Sequence, residues 1–338
     1  MALYGGIDLH ANNSVIVVID DQDHMVDQKR LPNQLDSILA RLAPYQVELH
    51  GLVVESTYNW YWLVDGLMEA GYQVHLANTA AIQQYEGIKH SNDFSDAQWL
   101  AHLLRLGILP EGYIYPKEER GVRDLLRKRM QLVQQRTTNL LSIQTQAARN
   151  TGQAWSGNRI KQLTCKEVDD LVVDEHLALA ITSNLAVMQC LNEQVHKLEK
   201  VIKRQVKLRP AFEPLLSVSG IGEILGLTIM LETGDIGRFP SVGDFASYCR
   251  CVGSERLSNG KRKGRGNTKN GNKYLAWAFV EAANFAVRYN PQIKRYYQRK
   301  AAKTNTIVAT KTVAHKLARA CYYILRDQVP FDVKLGFG

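Results

Sequence analysis

Three short strand-forming runs open the chain, at residues 3–10 (LYGGIDLH), 13–20 (NSVIVVID) and 25–30 (MVDQKR), separated by polar turns short enough for hairpins. Consecutive hairpin strands rule out a purely parallel sheet. Residues 31–42 carry Leu35, Ile38, Leu39 and Leu42 on one helical face. Residues 48–55 (ELHGLVVE) return as a buried strand, followed by a helix over 58–70, a strand over 72–76 and a helix from residue 93. This order predicts an α/β unit, a mixed sheet with helices packed on it. Two of its strands end on acids, Asp8 and Glu55. Asp93 and Asp96 stand at i and i+3 in the first turn of the last helix. Any one of them alone reads as a strand-end or helix cap. Four carboxylates from three elements, brought to one point, read as a divalent-metal site. A Rossmann arrangement is excluded, because Gly5-Gly6 precedes Asp8 and no GxGxxG opens a helix after the strand.

The remaining bounds come from length and charge. At 338 residues the chain exceeds one average domain, and boundaries are expected near 115 and 207. A formal charge of +9 favours a polyanionic partner, chiefly nucleic acid. No apolar run is long enough to span a membrane and no basic-then-apolar leader precedes residue 3, so a cytoplasmic protein is expected. The five cysteines, Cys165, Cys190, Cys249, Cys251 and Cys321, are odd in number and scattered, and read as reduced thiols.

Residues 116–207 have helical spacing in two long segments. In 118–150, Val122, Leu126, Met130, Val133 and Leu140 form one stripe, while Arg120, Arg123, Arg127, Lys128, Arg129, Arg136 and Arg149 occupy the other faces. After a polar break at 151–159, residues 174–207 repeat Ile181, Leu185, Met188, Leu191, Val195, Leu198 and Ile202 at steps of four and three, a coiled-coil seam. An antiparallel helical stalk is expected. Its basic faces are open to two readings, ordinary solvated charge or contact with a phosphate backbone, and its seam is a candidate for holding copies together.

In residues 208–338, LLSVSGIGEIL is an apolar helix end, a tight turn and a new helix start. Gly220 and Gly222 would let backbone N–H groups approach a phosphate, as in a helix-hairpin-helix element. Helices over 242–249 and 274–287 bracket the glycine-rich, basic stretch GSERLSNGKRKGRGNTKNGNK at 253–273, which cannot fold as a core element. Ser258 lies there in a flexible Ser-Asn-Gly turn, beside Arg256, Lys261, Arg262, Lys263, Arg265, Lys269 and Lys273. The stretch reads either as a disordered linker or as a cationic cradle for a phosphate that a serine could attack.

The acids in GIDLH, VVES and NDFSDAQWLA resemble the DEDD signature of bacterial insertion-sequence transposases related to the Piv/MooV DNA invertases. The segments LLSVSGIGEILGLTIMLETGDIGRFPSVGDFASY and LSNGKRKGRGNTKNGNKYLAWAF resemble the C-terminal domain of that family, so the likeness covers nearly the whole chain in order. It implies a RuvC-like (ribonuclease H-like) domain at 1–115, a coiled coil at 116–207 and a mostly helical transposase domain at 208–338. It also implies Mg²⁺ on Asp8, Glu55, Asp93 and Asp96, with Ser258 attacking DNA. Donor and target DNA, a bridge RNA encoded by the element and a homo-oligomer are the implied partners. Two other readings stand beside it: a junction-resolving nuclease that uses acids and water alone, and a nucleic-acid-binding scaffold whose acids only cap helices.

Overall fold

A computed structural model describes residues 2–82, 92–253, 255–265 and 270–338. Two compact units divide the chain, Met1–Lys117 and Glu118–Gly338. The second takes in both segments that the sequence reading separates at residue 207.

In the first unit, β1 (Leu3–Leu9), β2 (Asn13–Ile19) and β3 (Met25–Pro32) are successive antiparallel neighbours. Next come α1 (Leu35–Leu42), β4 (Leu49–Glu55), α2 (Tyr61–Glu69), β5 (Val74–Ala77) and α3 (Asp93–Arg105). Strands β4 and β5 add in parallel to β1, giving the order β3-β2-β1-β4-β5. The sheet is the mixed one that the strand pattern predicts. Strand β3 forms the edge, and its exposed Lys29 and Arg30 suit that place.

Both faces of the central strands are covered, which explains the unbroken apolar run of β2. Leu3, Ile7, Leu9, Ile16, Val18, Leu52 and Val54 pack on one face with Ile38, Leu42, Leu63 and Leu67 from α1 and α2. Val15, Val17 and Ile19 pack on the other with Ala97 and Ala101 of α3, and Val53 and Ala77 pack there with Leu100. The period of two therefore puts Gly6 and Asp8 of β1, and Val53 and Glu55 of β4, on the α3 face. Gly6 is what lets α3 lie so close: a Cβ there would stand 1.9 Å from the Ala97 carbonyl oxygen and 2.9 Å from the Ala101 nitrogen.

In the second unit, α4 (Lys117–Thr151) and α7 (Glu175–Gln205) run antiparallel, in the register fixed by Arg129 Nε to Glu199 Oε1 (2.8 Å) and Arg136 Nη1 to Asn192 Oδ1 (2.6 Å). Between them, α5 (Gly157–Gln162) and α6 (Cys165–Leu171) close the tip over a small core containing Trp155, Ile160, Val168, Ile143, Ile181 and Leu185. Five seam residues, Ile181, Leu185, Met188, Val195 and Ile202, are buried within the single chain; Leu191 and Leu198 are half-buried.

Three arginines of α4 depart from the reading of a solvated or phosphate-facing surface. Arg120 and Arg123 are buried. Arg127 grips the buried Glu232 with two hydrogen bonds, of 2.6 and 2.7 Å. Glu232 lies far along the chain from Arg127, where helical periodicity gives no sign of it.

The principal core of this unit gathers α8 (Phe212–Leu216), α9 (Glu223–Thr233), α10 (Val242–Tyr248), α11 (Lys273–Tyr289), α12 (Pro291–Lys303), α13 (Thr306–Asp327) and α14 (Val333–Phe337). All five cysteines are free; burial pushes the Cys251 thiol up to about 12 and raises Cys249. Among the described residues, no helix is long and apolar enough to cross a membrane.

The basic stretch differs from the expected loop. Strands β6 (Glu255–Ser258) and β7 (Lys261–Arg265) pair as an antiparallel hairpin. Asn259 and Gly260, both at positive φ (51° and 70°), form its two-residue turn. Asn-Gly in this conformation matches the right-handed twist of the flanking strands, so two otherwise polar segments can pair without a core.

Candidate metal centre and serine hairpin

The alternation of β1 and β4 brings the acids together. Asp8 and Glu55 lie at the C-terminal ends of adjacent parallel strands, in line with the Ile7–Val54 pair and on the α3 face. Helix α3 begins above them, with Asn92 accepting from the Ser95 N–H and Ser95 Oγ accepting from the Asn92 N–H, a reciprocal cap that fixes its first turn. Asp93 stacks over Ala97 and Ala101, which pack toward β2, and Asp96 stacks over Leu100, which packs on Val53 of β4. Asp8, His10, Glu55, Thr57 and Asp96 share an open cavity of about 570 Å³.

Electrostatics divides the four acids. Burial, a hydrogen bond to Asp8 and the charges of Asp8 and Asp96 push the Glu55 carboxyl up to about 8. Burial, then Asp8 and Asp93, also raises Asp96. Asp93 moves the other way: the hydrogen bond from Arg30 (2.5 Å) lowers it, against some burial, with help from His10. Carboxylates this close resist joint ionisation unless a cation neutralises them.

His10, which the sequence reading passes over, completes the cluster. Its Nε2 lies 3.2 Å from Asp8 Oδ2 and 3.3 Å from Asp93 Oδ2. That nitrogen is buried, and the three donor atoms lie within 4.8 Å of one another, close enough to share one ion. Its main chain is held by Asn33 Nδ2 (2.9 Å) and Asn59 Nδ2 (3.1 Å), both donating to the His10 carbonyl. Carboxylates with one imidazole suit a hard or borderline divalent ion such as Mg²⁺ or Mn²⁺. The period of two, carried past Leu9, puts His10 on the Asp8 face and would have found it; Arg30 joins only through strand pairing.

A thermal prediction follows from the raised acids. Their folded pKa values exceed the unfolded ones, so the stability they contribute is present at low pH and declines as pH rises, for Glu55 until about 8. A divalent ion held there would bind the ionised carboxylates and offset that loss. The rise in Tm on adding Mg²⁺ or Mn²⁺ should therefore grow between about pH 5 and 8; scanning calorimetry that finds a rise independent of pH contradicts a carboxylate site.

In the second unit, Ser258 is exposed at the end of β6, paired across the turn with Lys261. Lys261 and Lys263 are exposed on β7; Arg256 lies on β6, and Arg262 and Arg265 on β7. Lys273 opens α11 with its Nζ 5.1 Å from the Tyr274 ring centroid. Lys269 lies outside the described residues. The base of the hairpin segment is tied down at both ends: Arg250 donates to the Gly271 carbonyl (2.9 Å), and Asn272 donates to Glu232 (2.7 Å) while capping α11.

The glycine turn has a packing role beside the expected phosphate grip. Gly220, at φ +94°, packs against α11, where a Cβ would meet the Ala282 carbonyl oxygen at 2.3 Å. Gly222 faces open space at the start of α9.

Residues 5–147 match the family model of DEDD transposases of the IS110 type, and residues 213–298 match that of the transposase IS116/IS110/IS902 family. The chain is similar to a probable family 20 transposase of Pseudomonas aeruginosa, 23% identical over 84% of this chain and 83% of the relative. It is also similar to the transposase for insertion sequence element IS1328 of Yersinia enterocolitica, 23% identical over 97% of this chain and 98% of the relative.

Proposed function

The chain belongs to the IS110 family of DEDD transposases, enzymes that cut and rejoin DNA, and from that premise we propose that Ser258 is its nucleophile and the Asp8 cluster its metal site. The observation that carries the reading is the convergence of Asp8, His10, Glu55 and Asp96 on one cavity, with Asp93 beside His10. The strand order β3-β2-β1-β4-β5 supports the RuvC-like assignment of this unit.

Divalent metal dependence goes with the family; Asp8, Glu55, Asp93, Asp96 and His10 would hold the ion. Bound there, it neutralises charge on a phosphoryl group in transfer. The chain's own steps are these. Lys261 and Lys263 draw the DNA backbone to the hairpin. The Ser258 hydroxyl loses its proton to solvent and its oxygen attacks the scissile phosphorus. The bond from phosphorus to the 3′ oxygen breaks, and that oxygen leaves as a hydroxyl once protonated. The product is a 5′-phosphoserine, and attack by another 3′-hydroxyl reverses the step, resealing a new pair of strands without ATP.

Exchanging two duplexes takes several such events, so the proposal includes an assembly of copies, with Leu191 the half-buried seam residue outside the chain's own core clusters. A bridge RNA is the further partner that the family resemblance suggests, and pairing with donor and target would then supply sequence choice. A nuclease using acids and water would leave no covalent product.

The test is recombination between plasmids carrying the element's ends. Ser258→Ala should lose recombination entirely and still bind DNA, while Ser254→Ala, a change in the same basic stretch outside the described residues, retains it. Recombination by Ser258→Ala contradicts the assignment.

A further inference from the structure

Helix α11 turns a flat aromatic pair outward near its C-terminal end. Phe285 and Tyr289, one helical turn apart, are 42% and 66% exposed, with rings 4° from parallel and centroids 6.3 Å apart. The Arg288 guanidinium lies 5.5 Å from the Tyr289 centroid. The opposite face of α11 already fills the core with Leu275, Phe279, Ala282 and Ala286, so its packing does not need this pair.

Asn290 ends α11 and caps α12, whose sequence PQIKRYYQRKAAK holds five cations and no acid. None of the five makes an ion pair with a described acid. Arg295, Arg299 and Lys303 are exposed and recur every fourth residue, one row about 12 Å long at the rise of an α-helix. Exposed ring faces at the end of one helix, followed by a row of cations on the next, are what an unpaired nucleic-acid strand uses: bases stack on the rings and phosphates follow the cations. A duplex keeps its base faces inside and has nothing to offer the rings. Strand exchange, by contrast, leaves DNA unpaired on either side of each cut.

We propose that the corner between α11 and α12 binds single-stranded DNA, with an unpaired base against Phe285 and Tyr289 and phosphates along Arg295, Arg299 and Lys303. The proposal rests on the family's action on DNA and not on the role of Ser258, so Ser258→Ala should bind single strands as the unaltered chain does.

The test uses the full chain and a short oligothymidine carrying one fluorescent adenine analogue, alongside its duplex and an RNA of the same sequence. Phe285→Leu with Tyr289→Leu keeps apolar bulk and removes the flat rings. Single-stranded DNA binding should weaken about 5- to 150-fold, with the fluorescence change lost and duplex affinity unchanged. Arg295→Gln, Arg299→Gln and Lys303→Gln together should keep the fluorescence change and lower the salt slope for single strands by about 2. Both variants change exposed positions and should melt as the unaltered chain does; Tyr289→Leu alone, a milder change, should still lose most of the fluorescence response. Unchanged single-strand affinity in the aromatic variant overturns the proposal, as does an equal loss on duplex or binding of the RNA but not the DNA. A changed sedimentation coefficient in that variant also overturns it, since the rings would then join copies of the chain.

Discussion

Asp8→Asn should abolish strand cleavage, lowering its rate at least about 10³-fold, while leaving nucleic-acid affinity nearly unchanged. The magnitude follows from the several kcal/mol of charge stabilisation that a bound metal supplies to phosphoryl transfer, each 1.4 kcal/mol being about tenfold in rate. Asparagine keeps the shape of this buried side chain, so the sheet around it has no reason to rearrange. Removing the Asp8 charge also relieves its repulsion on Glu55 and Asp96. The metal-free variant should therefore lose less stability than the unaltered chain as pH rises toward 8. Loss of activity with a gain in metal-free stability separates a metal site from a structural cap, whose removal costs stability at every pH. Cleavage assays and melts across pH on the same samples check both halves.

Gly6→Ala should be nearly as damaging, for a reason of packing. The new methyl would sit on the backbone of α3, at the Ala97 carbonyl oxygen and the Ala101 nitrogen, neither of which can swing aside. The helix must move outward, at about 1–3 kcal/mol for overpacking, and it carries Asp93 and Asp96 away from Asp8 and Glu55. A displacement of about 1 Å in a reacting site costs about 10²-fold in rate. Gly5→Ala is the control. Its methyl points to the opposite face and meets the end of the Leu52 side chain, which can turn to another rotamer. Gly6→Ala should weaken Mn²⁺ binding and cleavage together, and Gly5→Ala should cost some stability without affecting either. Equal cleavage by both variants contradicts the placement of α3 as the lid of the site.

Legibility in the sequence followed the range of the interactions involved. The strands, the ends of β1 and β4, and the first turn of α3 are local patterns, so Asp8, Glu55, Asp93 and Asp96 could be read as one cluster before any fold was known. His10 obeys the same alternation, but a histidine just past a strand end carries no signal until its nitrogen is seen facing Asp8 and Asp93. Arg30 joins the site only because β3 pairs with β2, a register that side-chain pattern does not fix. Arg127 misled because helical periodicity reports which residues are polar and not where their partners lie; Glu232 is 105 positions beyond it. Gly220's contact with α11 was not legible either, since a tight turn and a close helix crossing make the same demand on a residue. The Asn259-Gly260 pair was a hairpin signal, but strands with polar flanks lack the alternation that confirms one.

Denaturing electrophoresis of the full chain on a nicked suicide substrate, with Mg²⁺ or with chelator, tests the central claim most directly. The trapped strand cannot be resealed, so a serine intermediate accumulates as a covalent protein–DNA band. That band should form with Mg²⁺ in the unaltered chain and in Ser254→Ala, and be absent with chelator, in Asp8→Asn and in Ser258→Ala. A band that persists in Ser258→Ala, or cut DNA with no protein attached in the unaltered chain, would contradict the account.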